Sequence, residues 1–186
     1  MFENYNEAFR LIKLYPELVR GRITPCSEEV IRKAETLLEV KFPYTYHLFL
    51  KCFGDLDFGG SSIMGIFEND LEKSRTIGYT LEERNNPYVE KPMPQNFVVI
   101  EHEGLDGELV CLKINERSPD ESPVVSYFDY AESSPILAPN FETFFLDLVK
   151  QEIEFYHEEH PYIPRKVLQP IRKKPPEKPL IQGELF

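Results

Sequence analysis

An α+β fold is predicted for this chain: an antiparallel sheet packed against N-terminal and C-terminal helices. Three observations predict it. Apolar residues recur at helical spacing through the first 53 positions. The pattern then shifts to short, strand-like pieces between residues 95 and 132. A broad apolar stripe follows Asn140. Helices, then strands, then a helix is an α+β order and not a βαβ one.

Residues 3–15 read as a helix, because Phe2, Tyr5, Phe9 and Ile12 recur at spacings of three and four. Pro16 stops it or opens the next turn. Thr24 followed by Pro25, or Ser27 followed by Glu28 and Glu29, can cap the next helix. Its expected core face is Val30, Ile31, Ala34, Leu37 and Leu38. Phe42-Pro43 opens a third helix with Leu48, Phe49, Cys52 and Phe53 inward and Tyr44 or Tyr46 near its start. Gly54 ends it.

The segment GDLDFGGSSIMGIFE predicts a loop and one short strand around Ile63–Phe67, with Gly54, Gly59 and Gly60 serving the backbone. Residues 68–95 are polar and broken by prolines, with room for a short helix near 70–76 or 80–85. QNFVVIEHE, GELVCLKIN and SPVVSYFDYAE predict three adjacent antiparallel strands with a helix-covered face. Asp106-Gly107 marks the first turn between them and Pro119-Asp120 the second. Asn140 caps the last helix, which runs to about residue 158 and buries Phe141, Phe144, Phe145, Leu148, Val149 and Ile153.

Charge divides the chain into a body, residues 1–160, and a tail, residues 161–186. Residues 1–164 carry 15 Lys/Arg against 30 Asp/Glu, and residues 165–186 carry 6 against 2. An acidic body of this size is one domain's worth and can bury a core without metals or disulfides. Its charge argues against direct nucleic-acid binding, which rests on neutralising phosphates. A basic protein partner gains from long-range attraction instead. Cys26, Cys52 and Cys111 are far apart without a C-x-x-C, so buried inert thiols are expected. The N-terminus does not read as a signal peptide, and no stretch suits a membrane span. A cytoplasmic protein with no membrane partner is expected.

The segment ITPCSEEVIRKAETLLEVKFPYTYHLFLKCFGD resembles the opening of the SMI1/KNR4 (SUKH) superfamily. The Leu-Pro step of that family corresponds to Phe42-Pro43, its tyrosine to Tyr44 or Tyr46, and its turn to Cys52-Phe53-Gly54-Asp55. FVVIEHEGLDGELVCLKIN, SPVVSYFDYAE and PNFETFFLDLV resemble its later strands and closing helix. The resemblance covers about residues 24–155, so the first helix reads as an addition. The chain departs from the pattern in lacking a glycine between Leu38 and Phe42 and in segment 68–95. The resemblance implies a non-enzymatic protein. Bacterial members are mostly immunity proteins that bind and block a toxin domain, often a nuclease or deaminase. Fungal members regulate cell-wall synthesis through protein contacts. It implies no cofactor and no catalytic residues.

Candidate partner-binding residues are Asp55, Asp57, Glu101, Glu103, Asp106 and Glu108, expected on one acidic face that a basic, cognate toxin domain would meet. Tyr127 and Phe128 are candidate aromatic anchors, of which one should face the core. Enzymatic readings rest on less. His157 and His160 in YHEEHPY lack the H-E-x-x-H zinc spacing and read as a solvated helix end. His102, between Glu101 and Glu103, is an acid–base candidate or part of a hydrated acidic rim. An enzyme with an unrecognised acid–base site and a scaffold of the same fold are the alternatives to an immunity protein. The Pro-rich tail is expected to be extended. Its end, Gln182 with Leu185 and Phe186, resembles the short peptide by which replication and repair proteins dock on the DNA sliding clamp. Packing of that end on the parent domain, or on a second copy of it, is the alternative use.

Overall fold

The computed structural model describes residues 2–89, 91–103, 107–128, 133–164 and 166. Its elements run α1 (Glu3–Leu14), β1 (Val19–Arg20), α2 (Glu28–Leu38), α3 (Tyr44–Cys52), β2 (Leu56–Phe58), β3 (Ser61–Ile63), α4 (Arg75–Arg84), β4 (Phe97–Glu103), β5 (Glu108–Lys113), β6 (Val124–Tyr127), β7 (Ile136–Ala138) and α5 (Phe141–Glu159). The strands form two antiparallel sheets in sequence order, β1-β2-β3 and β4-β5-β6-β7. The amide of Met64, one residue past β3, donates to the Ile100 carbonyl in β4 at 2.6 Å and links them. The predicted α+β class is therefore the observed one.

The larger sheet is covered on both faces. Val98, Ile100, Val110, Leu112 and Val124 join the main core with the helices. The alternate residues Phe97, Val99, Leu109, Cys111, Val125 and Tyr127 form a second cluster with Met64 and Met93, against which Tyr79 of α4 packs. Period-two alternation sends successive side chains to these two layers. The Val99 amide donates to Thr80 Oγ1 at 3.0 Å, so α4 also satisfies part of the β4 backbone.

α2 starts at Ser27, whose side chain accepts from the Val30 amide. Its buried face differs from the one its spacing predicts. Leu37 is 45% exposed and Glu35 only 7% exposed. Glu35 is buried because both oxygens are used: one accepts from the Phe42 amide and the other from Lys41 Nζ, each at 2.9 Å. It thus closes the α2–α3 connection. Pro43 is the N-cap of α3 and offers no side-chain cap. Asp120, from the turn after β5, supplies one by accepting from the Tyr44 amide at 2.6 Å. Of the two tyrosines, Tyr46 is the buried one, donating its hydroxyl to the Met64 carbonyl at 2.9 Å.

The strand expected around Ile63–Phe67 is instead a tight hairpin, β2–β3, turning at Gly59-Gly60. Glu152 of α5 holds that turn, accepting from the Gly60 amide and from Ser61 Oγ, both at 2.6 Å.

The missing glycine after Leu38 has a conformational counterpart. Glu39 ends α2 at φ 55°, ψ 40°, in the left-handed region. A side chain there costs about 1–2 kcal/mol. Glu39→Gly should remove most of that strain at the cost of greater unfolded-chain freedom. The expected gain is about 0.5–1 kcal/mol, read as a Tm rise of roughly 1–4 °C. A lowered Tm would show that the Glu39 carboxylate, which accepts from Gln95 Nε2 at 3.1 Å, matters more than the strain.

Candidate functional site

The acidic residues of interest lie on either side of the β3–β4 junction. On one side, the chain leaves Gly54 into β2 and carries Asp55 and Asp57 past the start of α4. There Arg75, the first residue of α4, meets both. Its Nε donates to Asp55 Oδ2 at 3.2 Å, its Nη2 contacts Asp55 Oδ1, and the same Nη2 donates to Asp57 Oδ1 at 3.1 Å. Asp55 also accepts from the Gly65 amide at 3.1 Å, and Ser62 Oγ donates to Asp57. Burial works to lower the guanidinium pKa, but the two aspartates outweigh it and raise the value. One arginine therefore offsets about half of this pair's charge. The Asp57 side chain stays 44% exposed, while that of Asp55 is mostly covered.

On the other side, Glu101 follows an irregularity in the β4–β5 pairing and is buried. His102 is exposed, with its ring 5.1 Å from that of Tyr79. Glu103 and Glu108 are direct cross-strand partners. Glu108 is half-buried and accepts from Ser126 Oγ. Asp106 lies outside the described residues, as does the Glu103 side chain. The structure thus brings Asp55 and Asp57 together, and separately Glu103 and Glu108.

Tyr127 is buried, its ring 5.7 Å from and edge-on to Phe97, and Phe128 is half-buried. Gln182, Leu185 and Phe186 lie outside the described residues.

No group of three or more His, Cys, Asp and Glu that could hold a metal occurs among the described residues. All three cysteines are buried. Burial pushes the Cys26 thiol up to about 12 and raises those of Cys52 and Cys111, so thiolate character is suppressed. A cleft of about 370 Å³ opens beside the end of α2, lined by Glu35, Glu39, Lys41 and Gln95 among others. Its polar groups bond one another: Glu35 holds Lys41 and the Phe42 amide, and Gln95 holds Glu39.

The helix-end reading of YHEEHPY needs a correction. His160 is exposed, but His157 is buried, with Nε2 3.0 Å from the Tyr15 hydroxyl. The partner comes from 142 residues earlier in the chain, so local spacing carried no sign of it. Arg75 was equally hidden, within a segment whose polarity and prolines suggested only a loop or a short helix.

No helix among the described residues is long and apolar enough to cross a membrane. The SUKH_5 family model, described as SMI1-KNR4 cell-wall, matches residues 1–150 and so takes in α1. No curated protein matches the chain. Among solved structures, a protein from Pseudomonas syringae pv. tomato is similar at 15% identity and a TM-score of 0.47, covering 67% of this chain and 87% of that one.

Proposed function

This chain belongs to the SMI1-KNR4 cell-wall family of the SUKH superfamily, and we propose on that basis that it is an immunity protein that neutralises a cognate toxin domain by occlusion, without catalysis. The family match over residues 1–150 carries the reading. The excess of 30 acidic over 15 basic residues in positions 1–164 supports a basic partner, such as a nuclease domain that otherwise engages phosphates. The residues we assign to that partner are Asp57 of β2 and, from the β4–β5 connection and its flanks, Glu103, Asp106 and Glu108. Asp55, Glu101 and Tyr127 are left out of the contact set, since Arg75 takes up Asp55 and the other two are buried. The regulatory reading is favoured by one thing only, the cell-wall description of the family. It shares the same chemistry, binding by protein contacts.

The experiment is co-expression with the co-encoded toxin domain. Co-purification and restored growth are expected; neither binding nor rescue would sink the proposal. The acidic contact set has its own test. Glu103→Lys with Asp106→Lys should slow association roughly tenfold at low salt, with a much smaller effect on dissociation. Stopped-flow rates indifferent to both salt and charge reversal would reject this contact set while leaving toxin binding intact.

A further inference from the structure

The C-terminal end of α1 holds a built site that the immunity reading does not use. Lys166, at the start of the basic tail, inserts its ammonium there. Nζ donates to the Leu14 carbonyl at 2.6 Å and to the two Glu17 carboxylate oxygens at 2.8 and 3.0 Å. It also lies 4.8 Å from the centroid of the Tyr15 ring. The Lys166 amide donates to the Tyr15 hydroxyl at 3.2 Å.

Each part of this seat suits an ammonium. Leu14 is the last residue of α1, and a carbonyl at that end is left without an intrahelical partner and carries partial negative charge. Glu17 adds a full charge, and the tyrosine face adds cation–π attraction. Three convergent oxygens match the three donors of a lysine, where a flat guanidinium prefers a coplanar pair. The seat is also held in place. Tyr15 is buried, its ring packs edge-on against Tyr156 and His157, and its hydroxyl bonds His157. Pro16 opens the short 3-10 turn that presents Glu17. Burial tends to raise the Glu17 carboxyl, but the hydrogen bond from Lys166, a backbone hydrogen bond and the nearby Lys166 charge act together to hold the group below its ordinary range.

The seat is reachable from outside. The side chains of Glu17 and Lys166 are 36% and 37% exposed, so the ammonium sits at a surface opening and not in the core. The occupant arrives on a short arm after α5, containing Pro161 and Pro164. A ligand tethered this closely competes through a high effective concentration, on the order of millimolar for short tethers. A lysine from another protein could replace it once that protein made further contacts.

We propose that Leu14, Tyr15 and Glu17 form a receptor for a lysine side chain on an extended segment, filled in cis by Lys166 and open to a partner's lysine in trans. The site does not require the toxin reading, because its ligand is defined by the ammonium alone.

Two arms test it on the full chain. For the cis occupant, amine labelling followed by mass spectrometry should modify Lys166 several-fold more slowly in the unaltered protein than in Glu17→Gln. For the trans ligand, the probe is a labelled peptide of residues 161–170. It should bind the Lys166→Ala chain at least tenfold more tightly than the unaltered chain. A peptide with alanine in place of its lysine should lose that binding, as should the double variant Lys166→Ala, Glu17→Gln. Glu17 is surface-exposed, so its substitution leaves the fold intact. Equal labelling of Lys166 in both proteins would overturn the cis part. Peptide binding that is absent, or the same with and without Lys166, would overturn the trans part.

Discussion

Gly54→Ala should destabilise the protein by about 4 kcal/mol or more, lowering Tm by roughly 8–16 °C or preventing recovery of folded chain. Gly54 has φ +73°, where a side chain alone costs about 1–2 kcal/mol. A Cβ there would also stand 1.9 Å from the Thr24 carbonyl oxygen and 2.9 Å from its carbon. Both obstacles are backbone and cannot rotate away. Nor can the crossing open cheaply. The Thr24 amide donates to the Phe53 carbonyl, the Gly54 amide to Leu50, and the Ile66 amide to the Gly54 carbonyl, each at 3.0 Å. A Cβ at Gly65 would lie 1.6 Å from that same Gly54 oxygen. Three segments therefore meet backbone to backbone at one point: the lead into α2, the end of α3 and the exit from the β2–β3 hairpin. Asp55, next in the chain, is aimed at Arg75 by this crossing, so the acidic site depends on it. Gly78→Ala is the matched control. Gly78 lies within α4 with nothing within 4 Å of its would-be Cβ. Alanine there should stabilise by about 0.5–1 kcal/mol. Equal melting of both variants would refute the close crossing.

The glycine at 54 was legible as a helix end, because a helical apolar pattern stops just before it. Its contact with Thr24 was not, since close backbone approach leaves no periodic trace. The same division runs through the molecule. α5 was legible to within a residue, because Asn140 and a 19-residue helix give cap and stripe together. β1, β2 and β7 are two or three residues long, too short for alternation to register. Glu35 lies outside the apolar face that the spacing in α2 marks, because the amide that keeps it buried belongs to Phe42, in the following connection. The site was harder still. Acidic residues are visible in a sequence, but what neutralises them is not. Asp55 and Asp57 meet an arginine 20 and 18 positions later. Lys166 meets Leu14 across 152 positions. Composition suggested an acidic body and a basic tail, and only the fold shows where the two touch.

Phe49→Ala should cost about 3–5 kcal/mol, a Tm fall of roughly 6–20 °C. Phe49 is fully buried at the contact between α3 and α5. Its ring is 5.8 Å from Tyr46, 5.4 Å from Phe53, 5.5 Å from Phe141 and 5.6 Å from Phe145. The last two are edge-on, the arrangement that the ring quadrupole favours. α1 joins the same cluster, with Phe9 5.5 Å from Phe53 and Tyr5 5.8 Å from Phe145. Removing Phe49 therefore opens a void between α3 and α5, and neither helix can close it without losing its other ring contacts. Phe155, on the outer side of α5 and 48% exposed, provides the contrast. Its replacement by alanine should fall within about 0.5 kcal/mol. A cycle with Phe145→Ala separates ring geometry from burial. If the edge-on contact contributes by itself, the two substitutions should couple by about 0.5–1.5 kcal/mol. Additive losses would mean that α3 and α5 are held by buried area alone, and that the aromatic identity of these positions is incidental to the fold.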